Sequence, residues 1–165
     1  MLNSSKLIIF AAPSGAGKSS LIKKIIEISK EKIELSVSAT TRVPRKGEIH
    51  GKDYFFISDN EFNELKDKDA FIECANVHGN QYGTLKSFVH EKLEEGISVI
   101  LDIDVQGFAQ IRETIEDMVS IFIIPPSLDE LKNRLTLRGL DTNDAIEKRL
   151  LNALEELKHA ESFDY

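Results

Sequence analysis

The sequence is short of cysteine, of positive charge and of long apolar runs, and each shortage excludes a class of protein. Its single cysteine, Cys74, cannot form an internal disulfide, which suits a reducing compartment and predicts a cytoplasmic protein. Lys and Arg total 21 against 28 Asp and Glu, so the formal charge is −7, whereas general nucleic-acid binding needs a basic face. No apolar run approaches the roughly 20 residues that span a membrane, and the N-terminus has no pattern of a secretion signal. We therefore expect neither nucleic acid nor a membrane as a partner.

What the chain does contain is enough apolar sequence for one packed domain, with 41% of its 165 residues hydrophobic. Continuous apolar strands are predicted at 7–11, 98–102 and 119–124, and helical patterns separate them. Such an alternation is typical of an α/β fold whose parallel sheet is covered by helices on both faces. Residues 36–84 differ, since their strands are shorter, more alternating and joined by turns, and they predict a small inserted α+β lobe.

Local signals predict the remaining elements. We expect helices over 19–30, 59–66, 85–95 and 105–113, and strands over 35–38, 54–57 and 71–77. Two more helices are expected, one from 128 towards Arg138 and one that carries Ile146, Leu150, Leu154 and Leu157 at helical spacing. Capping boxes at 58–61 and 127–130 mark two helix starts, Thr84 is expected to cap a third, and 78–83 is interpreted as a turn that begins or interrupts a hairpin.

The most informative stretch is Ala-Pro-Ser-Gly-Ala-Gly-Lys-Ser at 12–19, between a predicted strand and a predicted helix. This is the context of a Walker A phosphate-binding loop, G-x-x-x-x-G-K-[ST], although Ala12 stands at the first glycine. The two glycines can take positive φ, so that successive backbone N–H groups and the helix dipole face polyphosphate oxygens. Lys18 is expected to reach the β- and γ-phosphates, and the hydroxyl of Ser19 to hold Mg²⁺. The alternative is an ordinary glycine-containing turn before a helix.

Two carboxylates follow the second apolar strand. Asp102 ends that strand, at the edge of a parallel sheet where ligands bind. We expect it to hold Mg²⁺ directly or through water, as a Walker B aspartate does. It could instead cap the next helix. For Asp104, capping a helix that starts at Val105 is the simpler interpretation from the residues alone.

Two groups of arginines have spacings that suit phosphate. Arg42 and Arg45 lie three residues apart in a loop, where two guanidinium groups can converge on one dianion or form a solvated basic loop. Arg134, Arg138 and Arg149 flank a glycine break, and a hinged segment that carries arginines is typical of a lid over a transferring phosphoryl group. Surface salt bridges with neighbouring acids are the alternative for these three.

Taken together, these motifs resemble guanylate kinase, the family of nucleoside monophosphate kinases that phosphorylates GMP with ATP. The stretches that carry the resemblance span almost the whole chain in family order: Ala-Pro-Ser-Gly-Ala-Gly-Lys-Ser (12–19), Ser-Val-Ser-Ala-Thr-Thr-Arg-Val-Pro-Arg (36–45), Gly-Lys-Asp-Tyr-Phe-Phe (51–56), Phe-Ile-Glu (71–73), Gly-Asn-Gln-Tyr-Gly-Thr (79–84), Leu-Asp-Ile-Asp-Val-Gln-Gly (101–107), Pro-Pro-Ser (125–127) and Arg-Gly (138–139). A phosphate loop alone matches many unrelated proteins, whereas this joint pattern is specific.

The resemblance implies a fold and a set of site residues. The implied fold is a single domain over 1–165 with a P-loop NTPase-type parallel sheet, a core of 1–35 and 85–165, an inserted α+β GMP-binding lobe at about 36–84, and a helical lid at about 134–149. The implied ATP site is Ala12, Pro13, Ser14, Gly15, Ala16, Gly17, Lys18 and Ser19, with Mg²⁺ at Ser19 and Asp102, partly through water. The GMP phosphate would be held by Arg42, Arg45, Tyr54 and Tyr82, and the base would face Ser38, Glu73, Thr84 and Asp104. The implied catalytic residues are Lys18, Arg42, Arg134, Arg138 and Arg149.

Glu73 carries the implied choice of substrate. Guanine offers hydrogen-bond donors at N1 and at its 2-amino group, and a carboxylate can accept both. Adenine offers neither donor there, so it would leave a buried charge unpaired. The resemblance therefore implies GMP rather than AMP, UMP or CMP.

The sequence departs from the family pattern in a few places. Ala12 replaces the first glycine of the loop, as in bacterial members, and Gln81 stands where many members have tyrosine. The family continues for a further strand and helix, including an asparagine near the adenine, so we expect the chain to lack the family's C-terminal end. The alternative function is a non-catalytic guanylate-kinase-like module that binds phosphorylated peptides, against which Lys18, Ser19 and Asp102 argue. No feature of the sequence indicates an oligomeric state.

Overall fold

The part of the chain that the structure describes, residues 5–77, 79–137 and 142–165 of a computed structural model, forms two sheets with helices packed around them. The strands are β1 (Leu7–Ala11), β2 (Ile33–Leu35), β3 (Ala39–Thr40), β4 (Phe55–Phe56), β5 (Phe71–Val77), β6 (Asn80–Leu85), β7 (Ser98–Asp102) and β8 (Met118–Phe122). The helices are α1 (Lys18–Ile28), α2 (Asp59–Asp67), α3 (Lys86–Glu94), α4 (Val105–Arg112), α5 (Leu128–Leu137) and α6 (Asn143–Leu157), followed by a 3₁₀ turn (Ala160–Ser162). Within those described ranges, none of the helices is both long enough and apolar enough to cross a bilayer.

The main sheet is parallel, in the spatial order β2-β7-β1-β8, and apolar side chains cover both of its faces. On one face Leu7 and Ile9 of β1 pack with residues of α3 and α4, and on the other Phe10 packs with Ile22 of α1. Because side chains alternate between the faces of a strand, a strand that is apolar throughout needs cover on both sides. The predicted α/β fold with a doubly covered parallel sheet is therefore confirmed, and it brings the carboxyl ends of β1 and β7 to one edge.

The second sheet is mixed and lies over α2. Its order is β4-β3-β6-β5, in which β5 and β6 form an antiparallel hairpin, β3 is antiparallel to β6, and β4 is parallel to β3. Phe62 of α2 and Phe71 of β5 stack with ring centroids 4.4 Å apart, and Ala39 packs beside them in a small core of its own. This sheet is built from the segment whose alternating strands set it apart in the sequence.

Two strand predictions in that segment are wrong in their bounds. The alternating residues 35–38 are not one strand, because β2 ends at Leu35 in the main sheet and β3 begins at Ala39 in the second sheet. The predicted strand over 54–57 is reduced to Phe55–Phe56. Alternation alone could not show that the chain crosses from one sheet to the other at this point.

The turn predicted at 78–83 is confirmed at its start, since Gly79 lies in the turn of the β5–β6 hairpin, but it is too long, and the prediction of Thr84 as a helix cap is wrong. Residues 80–85 form β6, whose pairing with β5 overrides the local turn signals of Gly and Asn, while His78 lies outside the described residues. Thr84 is fully buried within β6, and α3 begins at Lys86 without a side-chain cap. Thr84 therefore lies inside a sheet rather than at a helix start, and its hydroxyl contacts the buried carboxylate of Glu73.

The predicted capping boxes have different outcomes. At α2 the box is complete, since Ser58 accepts from the backbone N–H of Glu61 and the Glu61 carboxylate accepts from that of Ser58. At α5 only half of it forms. Ser127 accepts from the backbone N–H of Glu130, but the Glu130 carboxylate accepts from Arg134 instead.

The last two helices pack against each other through Leu131, Leu135, Ile146 and Ala153. Of the apolar positions predicted to line α6, Ile146 is buried, Leu150 packs beside it, and Leu157 joins the main core. Leu154 lies on α6 as predicted but is 41% exposed, whereas the neighbouring Ala153 is buried. A small side chain there lets the helices approach closely. The predicted glycine break at Gly139 lies outside the described residues.

Candidate functional site

The carboxyl edge of the main sheet faces the second sheet across a cleft of about 760 Å³. One wall is the β1–α1 loop with the start of α4, the other comes from β5 and β6, and α6 closes a side. The predicted site residues that line it are Ala12, Pro13, Ser14, Gly15, Gly17, Lys18, Ser19, Ser38, Tyr54, Glu73, Tyr82, Asp102, Asp104 and Arg149. Residues predicted for ATP and residues predicted for GMP thus share one cleft, although they come from different sheets.

The β1–α1 loop has the backbone of an anion-binding loop. Gly15 and Gly17 have φ of 94° and 101°, values that an L side chain rarely adopts. The N–H of Ala16 donates to the carbonyl of Pro13 at 3.0 Å, which closes the turn. Gly17 then forms the N-cap of α1, so the loop ends at a helix N-terminus whose dipole favours anions.

Lys18, Ser19 and Asp102 converge at the floor of the cleft. Lys18 Nζ lies 2.6 Å from Asp102 Oδ1 and donates to the carbonyl oxygen of Ile103 at 2.7 Å. Ser19 Oγ donates to Asp102 Oδ2 at 3.4 Å. The β7 carboxylate is therefore held between a cation and a hydroxyl that both belong to the first turn of α1.

Two of the three predicted lid arginines reach the phosphate loop from the last two helices. Arg134 of α5 donates from Nη1 to the carbonyl of Ala16 at 3.0 Å and from Nε to Glu130 at 2.7 Å. Arg149 of α6 donates from Nη1 to Ser14 Oγ at 2.9 Å. Their guanidinium groups thus lie beside the loop. Arg138 falls outside the described residues and stays a prediction.

Across the cleft, Glu73 of β5 is a buried carboxylate with only 7% of its surface exposed. Its Oε1 accepts a hydrogen bond from the hydroxyl of the fully buried Thr84 at 2.7 Å, and Ser38 Oγ lies 3.4 Å from that hydroxyl. Burial raises the pKa of Glu73, and the Thr84 hydrogen bond partly opposes this. The result is a carboxylate supported on one oxygen and available to a ligand on its other side.

Arg42 is held rigidly beside this site by a residue that the sequence analysis did not identify. Its two terminal nitrogens donate to both oxygens of Glu48, at 2.9 and 3.1 Å, and its guanidinium carbon lies 5.4 Å from the ring centroid of Tyr54 and 5.8 Å from that of Phe56. The hydrogen bonds between them raise the pKa of Arg42 and lower that of Glu48. Tyr54 and Tyr82 meet edge to face, with centroids 5.9 Å apart, and burial raises the pKa of Tyr54.

Arg45 is not among the described residues that line the cleft, whereas Asp104 is. Arg45 is exposed, and its backbone N–H donates to Glu48 at 2.6 Å. Asp104 caps α4 by accepting from the N–H groups of Gln106 and Gly107, as its position before a helix predicted, and it also lines the cleft.

Sequence reasoning missed Glu48 and Gln110 beside the site, and several residues that line the cleft, among them Asn152 and Glu156. Glu156 and Asn152 lie on the same face of α6 as Arg149, at the helical spacing that could have revealed them. Burial raises the pKa of Glu156. No local pattern pointed to Glu48 or Gln110, because their partners are found only in the folded chain.

Comparison with known proteins agrees with this geometry. A family model described as guanylate kinase matches residues 4–165. The guanylate kinase of Legionella pneumophila (strain Paris) is 52% identical over 163 residues, which cover 99% of this chain and 78% of that protein. That of Caldanaerobacter subterraneus is 47% identical over 159 residues, covering 96% and 77% respectively. The crystal structure of guanylate kinase from Anaplasma phagocytophilum superimposes with a TM-score of 0.75 at 36% identity, covering 98% of this chain and 74% of that one.

The family resemblance that the motifs indicated is thus found independently in sequence and in structure. The match spans both sheets, the phosphate loop and the last two helices, rather than the loop alone. The chain belongs to the guanylate kinase family.

Proposed function

We propose that the cleft binds ATP and GMP side by side and that the residues named above carry out the transfer. Membership of the guanylate kinase family makes the chain an ATP:GMP phosphotransferase, which gives ADP and GDP and belongs to purine nucleotide metabolism. The observation that carries the assignment of residues is the shared cleft, which is lined both by Lys18 and Asp102 and by the buried Glu73. The alternative of a non-catalytic phosphopeptide module has no support among the relatives compared.

The ATP half of the site is proposed to be the loop at 12–19. Its two positive-φ glycines turn backbone N–H groups towards the β- and γ-phosphates, and the N-terminus of α1 adds partial positive charge. Lys18 exchanges its contact with Asp102 for the phosphate oxygens when ATP binds. The supporting observation is that its ammonium group already lies at the mouth of this loop, within the cleft.

ATP-dependent kinases generally need a divalent cation, and we propose Mg²⁺ here. Among the described residues, no group of three or more His, Cys, Asp or Glu side chains could hold a metal by itself. Ser19 Oγ and Asp102 Oδ2, 3.4 Å apart, supply two oxygen ligands. Mg²⁺ prefers oxygen and commonly completes its shell with water and substrate phosphates, so this pair fits the ion. When bound, the ion would neutralise charge on the phosphates and orient them.

The GMP half is proposed to lie against the second sheet. Arg42 and Arg45 hold the phosphate with the phenol groups of Tyr54 and Tyr82, and Arg42 is supported for this by its stacking and its ion pair. Glu73 accepts hydrogen bonds from the N1–H and 2-amino groups of guanine. Ser38, Thr84 and Asp104 complete the base site.

The transfer itself needs no protein nucleophile. An oxygen of the GMP phosphate attacks the γ-phosphorus of ATP in line, the bond from that phosphorus to the β-γ bridging oxygen breaks, and ADP leaves. The protein aligns the two phosphates and neutralises charge as it develops. Arg134 and Arg149 serve this purpose from beside the loop, together with Arg138, and their closure excludes water as a competing acceptor.

We also infer the division of the chain and its location. The core is 1–35 and 85–165, the GMP-binding lobe is about 36–84, and the lid is about 134–149, all in one domain. The second sheet supports this, since its strands lie between Ala39 and Leu85. A cytoplasmic location is supported by Cys74, which is a free thiol in the structure.

A coupled assay of ADP formation tests the function. With ATP and Mg²⁺ present, GMP should support turnover and AMP, UMP and CMP should not, and absence of turnover with GMP would overturn the proposal. Glu73→Gln tests the acceptor half, because it should raise the KM for GMP far more than the KM for ATP. Equal losses for both nucleotides would mean that Glu73 is structural.

A further inference from the structure

One side chain of α4 joins that helix to the edge of the second sheet and has no part in the function described above. The carboxamide of Gln110 accepts a hydrogen bond from the N–H of Cys74 at 3.0 Å and donates one to the carbonyl of Cys74 at 2.9 Å. Cys74 lies in β5, the end strand of the sheet, opposite Gly83 of β6. The N–H and the carbonyl of Cys74 therefore point away from β6. The carboxamide of Gln110 bonds to them as the peptide group of a neighbouring strand would.

This pair of hydrogen bonds is adjacent to the proposed guanine site. Cys74 follows Glu73 directly in β5. Gly107, one helical turn before Gln110 on the same face of α4, approaches Glu73 so closely that an added Cβ would lie 3.0 Å from Glu73 Oε2. Helix α4 thus contacts the Glu73 carboxylate with one residue and holds the next peptide of the strand with another.

We propose that Gln110 is a positioning residue for guanine recognition, a role that rests on the proposed function of Glu73. By fixing the peptide of Cys74, it fixes the distance from Glu73 to α4 and so to Asp104 at the start of the helix. Gln110 is exposed, so water replaces its hydrogen bonds when it is lost, and the fold loses little stability. The strand can then shift by a fraction of an ångström, which is enough to weaken directional hydrogen bonds to a base.

The test compares Gln110→Met, which keeps the size of the side chain, with Gln110→Glu, which keeps an acceptor for the Cys74 N–H but puts a carboxylate oxygen against the Cys74 carbonyl. Both should raise the KM for GMP about fivefold to tenfold, the equivalent of one or two net hydrogen bonds, and leave the KM for ATP within about twofold. The matched control is Arg112→Met, which removes a hydrogen bond from the same helix to the carbonyl of Ser162, away from the cleft. It should leave both KM values unchanged.

A second readout separates failure of this inference from failure of the proposed function. In the ligand-free protein, hydrogen exchange at the Cys74 amide should be slow in the wild type and faster in Gln110→Met, whereas the Arg112→Met control should match the wild type. If exchange of the Cys74 amide is unchanged in Gln110→Met, the carboxamide of Gln110 does not hold this part of β5, and the inference is wrong. Faster exchange with an unchanged KM for GMP would overturn the positioning role, and a wild type that does not turn over GMP would overturn the proposed function and with it this role.

Discussion

Lys18 and Asp102 form a close ion pair on the floor of the cleft, with Lys18 Nζ 2.6 Å from Asp102 Oδ1 and both side chains only partly exposed. The cation proposed to meet the phosphates of ATP is therefore neutralised by the carboxylate proposed to meet Mg²⁺. Neither side chain is unpaired before the nucleotide binds. Binding of ATP and Mg²⁺ would replace the Lys18–Asp102 contact with contacts from Lys18 to phosphate and from Asp102 to the ion.

Lys18→Met should abolish most of the activity while leaving the GMP half intact. Removing one preorganised charge from a phosphoryl-transfer site costs about 10²–10³ in kcat, because its stabilisation is largest in the transition state. Steady-state kinetics and GMP binding by calorimetry measure the two effects. Lys24→Met is the control, since Lys24 lies on the same helix and forms a surface ion pair with Glu27. Loss of GMP binding in Lys18→Met would contradict the division of the cleft into two halves.

Glu48→Gln should weaken GMP through Arg42. The substitution keeps one acceptor oxygen for the guanidinium group but removes the carboxylate charge and the second oxygen of the bidentate pair. We expect the KM for GMP to rise about fivefold, with the KM for ATP unchanged. Glu64→Gln is the control, because the Glu64 carboxylate is exposed and lies 4.0 Å from the ammonium group of Lys68. A fall in the KM for GMP would instead mean that Glu48 competes with the phosphate for Arg42.

The pH dependence of GMP binding should report the ionisation of Glu73. Burial raises the pKa of Glu73, and the charge of Asp104 adds to the increase. As pH falls through that raised pKa, Glu73 gains a proton and can no longer accept both hydrogen bonds from guanine, so the KM for GMP rises. The phosphate of GMP also titrates, near pH 6. The difference between the pH profiles of the KM for GMP in the wild type and in Glu73→Gln gives the part due to Glu73. Identical profiles would contradict a role for its ionisation in GMP binding.

The raised pKa of Glu73 also makes the stability of the ligand-free protein depend on pH. An acid whose pKa is higher in the folded state than in the unfolded state stabilises the fold at low pH, and this contribution is lost as pH rises through the folded pKa. Relative to Glu73→Gln, the wild type should therefore lose free energy of unfolding as pH rises from the ordinary carboxyl pKa through the raised pKa of the folded state. Denaturant unfolding of both proteins at a series of pH values measures the difference, and a constant difference would count against a buried ionising Glu73.

Gly107→Ala should impair GMP recognition without weakening helix α4. Alanine is the better helix former by about 1 kcal/mol, yet its Cβ would lie 3.0 Å from Glu73 Oε2 and 3.3 Å from the side chain of Ile103. The carboxylate must move, so the KM for GMP should rise while the far-ultraviolet dichroism of the protein is retained. An unchanged KM for GMP would show that Glu73 has room to adjust.

The parts of the molecule that depend on nearby residues were predictable from the sequence. The apolar strands at 7–11 and 98–102, the glycine loop between β1 and α1, and the cap at Asp104 all follow from local pattern, and the structure has them. Thr84 and Gln110 were not predictable in this way. Thr84 follows turn-forming residues and precedes a helix, and only the pairing of β6 with β5 shows that it lies against Glu73.

Glu48 shows a second limit of local reasoning. It is six residues from Arg42, yet the loop between them must fold back before the carboxylate can meet the guanidinium group. A sequence pattern gives the charge of such a residue but not its partner. The roles assigned to all the site residues stay predictions; among them Arg45 is exposed and Arg138 lies outside the described residues.

Helix α4 is eight residues and about 12 Å long, and it starts beside Asp102 and carries Gly107 and Gln110 to β5. One short helix thus belongs to the walls of both proposed nucleotide sites. Thermodynamics requires that any factor by which ATP changes the affinity for GMP equals the factor by which GMP changes the affinity for ATP. With a shared helix between them, the two binding equilibria form one linked system, and the order in which the substrates arrive does not change its total free energy.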